Sequence, residues 1–451
     1  MKSKLIDLKN KKKPFIFRDF RLVIDQYKLW MLTSNISYLR DNSSKGFGVL
    51  VQKNRHFLQQ LFTKDYVEDL CCNSLYSNKN MVIIIVTTLV SQMRTLPETN
   101  QPKIHLLRHL RDSLVKFIEK NADDLSVSVN IVTVLYKVYP ETLPETVSST
   151  CQLCRALVHV LSRAQVPKDI SKIAQFRRDI DTCVVCITKL WDKGLAVCPD
   201  TLQHICSIIV HPESVMIRTG SLGHVLDHVS VETLCRTTTS LSPSQIVKAV
   251  SSLVTWLGMY PYKHLHQHTL AICSRIAQYH PDIVKKVAEE NVSSMIKKLS
   301  FPIFRPHLEP VFLYLVYGNQ NSVSMVTSLA DSFSTLLSSS SVSESGHQFW
   351  SRMSECAKYL VSLHGDSEAV ARLRDAVRDV AEISDARRLQ LKEKLLSDDT
   401  GPGAVGGGYV PDNDEDSLAE YQTRQVGLIN LGNTCYMNCV LQALYHTHMF
   451  R

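Results

Sequence analysis

A thiol placed where a loop enters a helix is the leading candidate for bond-making chemistry in this chain. The segment Gly427-Leu428-Ile429-Asn430-Leu431-Gly432-Asn433-Thr434-Cys435-Tyr436-Met437-Asn438-Cys439-Val440-Leu441-Gln442-Ala443-Leu444 opens with turn-forming residues and closes with helical spacing, Val440, Leu441 and Leu444 sharing one face. Cys435 therefore stands at a helix start. The positive end of a helix stabilises a thiolate, the nucleophilic form of cysteine. Backbone N–H groups of the same turn can receive a developing oxyanion, and the Asn430 side chain is a further candidate donor. On the residues alone, a buried and inert cysteine at a helix start is the competing reading.

Other cysteines pose a second question. There are 13 in all, and two pairs, Cys151/Cys154 and Cys183/Cys186, have the spacing of zinc ligands. Helical periodicity competes with that reading. Val147, Cys151, Cys154, Val158 and Leu161 fall on one face, as do Ile173, Phe176, Ile180, Cys183, Ile187 and Leu190. Neither pair carries the glycine or turn residue of a zinc knuckle, so core filling is favoured and no metal site is expected. A cysteine nucleophile also needs a base and a group that orients it. His446 and His448 fall at the far end of the nucleophile's own helix, and neither is taken as that base.

The elements that must carry this segment are helical. Residues 55–397 read as a succession of amphipathic helices, with Leu107, Leu110, Leu114, Phe117 and Ile118 on one face and Ile246, Val250, Leu253, Val254 and Leu257 on another. Ser242-Pro243-Ser244-Gln245 has the form of a capping box with proline in the first turn. His211-Pro212-Glu213, His280-Pro281-Asp282 and Cys198-Pro199-Asp200 carry similar start signals. Leu125-Ser126-Val127-Ser128-Val129 alternates like a strand and is left open. So many linked helices exceed one bundle core, which favours a mainly α, HEAT/armadillo-like helical-repeat array. Two irregular helical domains are the alternative, since no exact repeat is visible.

The Ser-rich stretch 332–345 is expected to loosen the array locally. The last helix is expected to end near Leu396. Residues 398–424, with the run Gly401 to Gly408 and the acids Asp412, Asp414, Glu415 and Asp416, read as a flexible linker. Residues 1–54 form a basic N-terminal segment with Lys2, Lys4, Lys9, Lys11, Lys12 and Lys13, read as a solvated tail rather than a nucleic-acid arm. Over 451 residues the net charge is +8, with 44% hydrophobic and 21% charged residues, the balance of a folded chain. The apolar run Met81 to Val90 is about half of the ~20 residues a membrane helix needs and is expected to be a buried core helix. With no secretory signal at the start and many unpaired thiols, the expected compartment is the cytosol or nucleus.

The segment 427–444 closely resembles the cysteine box of the ubiquitin-specific proteases, Gly-Leu-x-Asn-x-Gly-Asn-Thr-Cys-Tyr-Met-Asn-x-x-x-Gln-x-Leu. Cys439 stands where that family commonly has serine. The resemblance implies that Cys435 is the nucleophile attacking the carbonyl at the end of ubiquitin, that Asn430 stabilises the oxyanion, and that no cofactor takes part. It implies ubiquitin and ubiquitinated proteins as partners. It also implies that residues 425–451 begin a papain-like catalytic domain, with histidine and Asp or Asn partners that would follow Arg451. The chain taken alone is thus expected to be an inactive fragment. Val254-Thr255-Trp256-Leu257 and Phe301-Pro302-Ile303-Phe304-Arg305-Pro306 look like the N-terminal half of the 35/38 subgroup of these hydrolases, which sets a helical-repeat region before the protease domain. Residues 1–50 carry no such likeness. An interaction scaffold with a vestigial cysteine box is the alternative function.

Overall fold

The computed structural model describes residues 16–97, 104–135, 144–210, 220–260, 262–338, 347–364, 370–384, 386–387 and 390. Among these there is no strand, and the regular elements are α-helices with short 3-10 turns between some of them. The helices are α1 (Phe17–Thr33), α2 (Ser37–Lys53), α3 (Leu58–Leu61), α4 (Lys64–Cys72), α5 (Lys79–Met93), α6 (Ile104–Lys120), α7 (Leu125–Thr133), α8 (Val147–Arg163), α9 (Ile173–Trp191) and α10 (Val197–Val210). They continue as α11 (Ser221–Leu226), α12 (Val231–Thr239), α13 (Pro243–Leu257), α14 (Leu265–Tyr279), α15 (Pro281–Leu299), α16 (Arg305–Gly318), α17 (Val323–Ser338), α18 (His347–His364) and α19 (Ala371–Ala376).

Local chemistry sets where several of them start. Thr63, Thr146 and Ser230 each accept a hydrogen bond from the backbone N–H three residues on, satisfying a donor that the first turn leaves free. In α13 the Gln245 side chain reaches back to the Ser242 N–H at 3.0 Å, as the capping box requires. Pro281 opens α15 after His280, and Pro199 lies in the first turn of α10. His211-Pro212-Glu213 lies outside the described residues.

Each helix then packs on one about two places further along, so the chain builds two rows. One row runs α4, α6, α8, α10, α13, α15, α17, α19, and the other α5, α7, α9, then α11 with α12, then α14, α16, α18. The two short helices α11 and α12 together fill one place, α11 against α9 and α12 against α14, which is why the numbering of the rows shifts there. The tandem architecture shows in the hydrogen bonds between neighbours. Lys28 to Asp69, Arg163 to Asp123, Tyr262 to Gly220, Asn291 to Ser251 and Arg352 to Glu309 join residues 40 to 43 positions apart. That spacing is about the ~40–47 residues of HEAT and armadillo units, although side chains do not repeat.

The chain divides into two units, Met1–Ile383 and Ser384–Arg451. The first is the array, a single unit rather than two helical domains. Its core is continuous from Phe20 to Val377. Both sequence-derived faces named above for α6 and α13 are buried along their whole length. In α8 the stripe holds except at its first residue, Val147, which is 44% exposed. Helix α5 is the expected core helix, burying Val82, Ile83, Ile85, Val86, Leu89, Val90 and Met93. No described helix is long and apolar enough to cross a membrane.

Three readings change. The strand-like alternation at 125–129 is helix α7, capped by Asp124, whose carboxylate accepts from the Val127 N–H at 3.1 Å. Its alternation misleads because Ser128 is buried along with Leu125, Val127 and Val129, while Ser126 and Asn130, one turn apart, form the exposed side. The first part of the Ser-rich stretch continues α17 rather than loosening it. Ser334 and Ser338 return their hydroxyls to carbonyls four residues back, and Phe333, Leu336 and Leu337 anchor the buried face. Residues 339–346 lie outside the described set. Helices also begin well before residue 55, and Phe20, Ile24, Phe47 and Val51 of α1 and α2 enter the array's core. The lysine-rich residues 1–15, the expected helix end near Leu396, the linker 398–424 and the segment 425–451 are outside the described residues.

Candidate functional site

Cys435 and Asn430, the residues to which the sequence assigns chemistry, lie outside the described residues, together with Cys439, His446 and His448. The chemistry-bearing side chains that the structure places belong to the array.

Cys151 and Cys154 are one turn apart on the inward face of α8, and Cys183 and Cys186 hold the equivalent positions on α9. Burial pushes the Cys154 thiol up to about 12 and the Cys183 thiol higher still, because a thiolate there would lose its hydration. Burial likewise raises Cys151, with the neighbouring Asp200 carboxylate adding to the effect. Asp200 itself is held low chiefly by its hydrogen bond from Arg155, whose Nε donates at 3.0 Å. These thiols pack as apolar groups. Among the described residues, no group of three His, Cys, Asp or Glu side chains is arranged to hold a metal ion.

A cluster of titratable groups sits where α11 and α12 share one place in their row. Gly220, just ahead of α11, has φ +64, a conformation costly for residues with a Cβ. Above it Tyr262, 1% exposed, donates its hydroxyl hydrogen to the Gly220 carbonyl at 2.6 Å. Burial raises the Tyr262 phenol well above its usual range and keeps it protonated as a donor. After α11 the Asp227 carboxylate accepts from the backbone N–H groups of Lys263 (2.9 Å) and His264 (2.6 Å), which tethers the entry to α14.

Imidazoles surround this tether. His264, His266 and His268 lie at the start of α14, His224 on α11 and His307 on α16. The Nδ1 atoms of His266 and His307 are 3.5 Å apart, with ring centroids at 5.3 Å. Desolvation, reinforced by the charge His307 would carry, lowers His266 to about 4. Desolvation also lowers His224, His268 and His307, while Asp227 pulls each the other way. All four therefore favour the neutral ring near neutral pH. Sequence reasoning missed this cluster. The alternation His264-Leu265-His266-Gln267-His268 was its visible signal, but the partners Asp227 and His307 are about 40 residues away on either side.

Comparison with known proteins bears on both parts of the chain. Residues 30–359 match the family model described as ubiquitin carboxyl-terminal hydrolase 38-like, N-terminal domain. That match begins inside the stretch 1–50, where the sequence alone offered no likeness. Residues 426–451 match the ubiquitin carboxyl-terminal hydrolase family model. Human ubiquitin carboxyl-terminal hydrolase 35 is 24% identical over 311 residues, covering 66% of this chain and 30% of the relative. Bovine ubiquitin carboxyl-terminal hydrolase 22 is 72% identical over 25 residues, 6% of this chain and 5% of the relative. Human ubiquitin carboxyl-terminal hydrolase 27 shows the same identity over 25 residues, 6% of each chain. The chain thus spans less than a third of the length of these relatives.

Proposed function

The chain belongs to the family marked by the ubiquitin carboxyl-terminal hydrolase 38-like N-terminal domain, and from that premise we propose that its protein is a cysteine-type deubiquitinase acting through Cys435. The observation that carries this reading is the presence on one chain of the helical array and, beyond it, of an almost unbroken cysteine box.

In this reading the Cys435 thiolate attacks the carbonyl carbon joining the last residue of ubiquitin to a lysine or peptide nitrogen. The carbonyl oxygen becomes an oxyanion, held by backbone N–H groups at the helix start and by the Asn430 side-chain amide. Collapse expels the amine with a proton from the general acid and leaves a thioester on Cys435, which water hydrolyses to regenerate the thiol. Nucleophilic and proton-transfer steps account for every atom, so the reaction calls for no cofactor. No histidine within residues 1–451 matches the family's base, and this stretch alone is proposed to lack turnover. The array would carry recognition of substrates or regulators. The free thiols of the described cysteines support the cytosol or nucleus as the compartment.

The test is a ubiquitin probe with an electrophilic C-terminus, applied to a protein that carries this chain and a complete catalytic domain. Labelling that maps to Cys435 and disappears in Cys435→Ala is the expected result. A folded protein whose Cys435 stays unlabelled would replace the enzyme reading with that of an interaction scaffold.

A further inference from the structure

Most helix pairs in the array meet through apolar side chains, but α14 and α16 also meet through two imidazoles. His266 and His307 face each other with Nδ1 atoms 3.5 Å apart, one from each helix, and both rings are half-buried. Two neutral rings, or one neutral and one charged, can share a proton between those nitrogens. Two charged rings cannot, because each would then present an N–H and a positive charge to the other. We propose that the His266–His307 contact is an acid-released latch, closed near neutral pH, that couples α14 to α16 and loosens that row of the array on acidification.

The surrounding groups fit this role. Asp227 is the carboxylate that acts on both rings, and it is occupied by the backbone N–H groups of Lys263 and His264. His264 and His268, on the first turns of α14, add further positive charge against His266 when protonated. On the other elements packed against the pair, Glu232 and Arg236 of α12 bond to each other, and Lys298 of α15 donates to the Thr255 carbonyl. Lys248 of α13 and Lys285, Lys286 and Lys297 of α15 are the remaining cations on those helices. On α16 itself Arg305 lies over the rings of Phe349 and Trp350, and Glu309 is paired with Arg352 of α18. None of these charges is among those that act on His307.

The direction of the pH effect follows from linkage. Both rings titrate lower in the folded chain than the ~6.5 of a free histidine, so between those values the unfolded chain binds more protons. Stability is therefore full above about pH 6.5 and is lost progressively as pH falls below it.

The test measures the thermal unfolding midpoint of the full 451-residue chain between about pH 7.5 and about pH 3.5, a range that spans free histidine and the lowered His266. The variant is His307→Phe, which keeps a ring against His266 and removes the second charge. A smaller fall in midpoint on acidification than in the unaltered chain is expected, and a fall of equal or greater size would overturn the latch. If the variant does not fold, proton NMR of the unaltered chain decides. His266 still neutral at about pH 5.5 supports the proposal, and an ordinary histidine titration near about 6.5 overturns it.

Discussion

Arg352 grips Glu309 with a forked pair of hydrogen bonds, Nε to Oε1 at 2.5 Å and Nη2 to Oε2 at 3.2 Å, across 43 positions of sequence. Glu309 is 2% exposed, so its charge depends on that fork. Arg352→Ala would leave the carboxylate buried with its main partner gone, and should destabilise the array by about 3 kcal/mol. Replacing both partners, Arg352→Met with Glu309→Gln, should cost less than the single change. Chemical denaturation followed by circular dichroism measures both, and a double variant no better than Arg352→Ala would contradict the argument.

Gly220 joins a left-handed backbone to the close approach of Tyr262, whose hydroxyl, together with the edge of the Tyr260 ring, occupies the space a Cβ would need. Gly220→Ala should destabilise by about 1–3 kcal/mol through backbone strain, with the collision adding to it. Tyr262→Phe should cost only about 1 kcal/mol, because the Gly220 carbonyl keeps a second donor in the Gly223 N–H. Thermal midpoints should rank the two in that order.

Thiol chemistry should separate the cysteines by burial. Cys72 is exposed, whereas burial raises Cys71, Cys154, Cys273 and Cys356 to about 12. Alkylation of the native chain at about pH 8 should modify Cys72 well before those four, since the thiolate is the reactive form. Peptide mass spectrometry after a short pulse reads the order. Early modification of Cys154 would mean that α8 and α10 part far more often than their packing implies.

In a catalytically complete protein, Asn430→Ala should lower kcat by about 10²- to 10³-fold, the usual loss for one oxyanion donor, with KM little changed. Single-step capture of Cys435 by an electrophilic ubiquitin probe should survive, because it needs the thiolate more than the oxyanion hole. Cys435→Ala should abolish both turnover and capture. Equal loss of capture in the two variants would assign Asn430 to the fold of the loop instead.

Much of the array is legible in the sequence. The faces of α6 and α13, that of α9 from Ile180 onward, the capping box at Ser242 and the core helix after Met81 follow from local spacing and local hydrogen bonds, which the folded chain keeps. The misreadings have the same root. Leu125 to Val129 belong to a helix whose outer face is the narrow line Ser126, Asn130 and Thr133, and within five residues only Ser126 of that line is visible, so alternation masks the helical period. Ser332 to Ser338 stay helical because the apolar residues among them are held by the core, a force that outweighs serine's weak propensity.

By itself the sequence determined that residues 55–397 are helical, the inward faces of several of those helices and the segment around Cys435 whose residue pattern names a chemistry. Those are properties of neighbours within a few positions, and residue order contains them. Only the tertiary structure decided that α11 and α12 share a single place, that Asp227 tethers α14, and that His266 meets His307. Such contacts join residues about 40 apart and depend on which buried faces pack together, a choice made by the whole core at once and by no local stretch of chain.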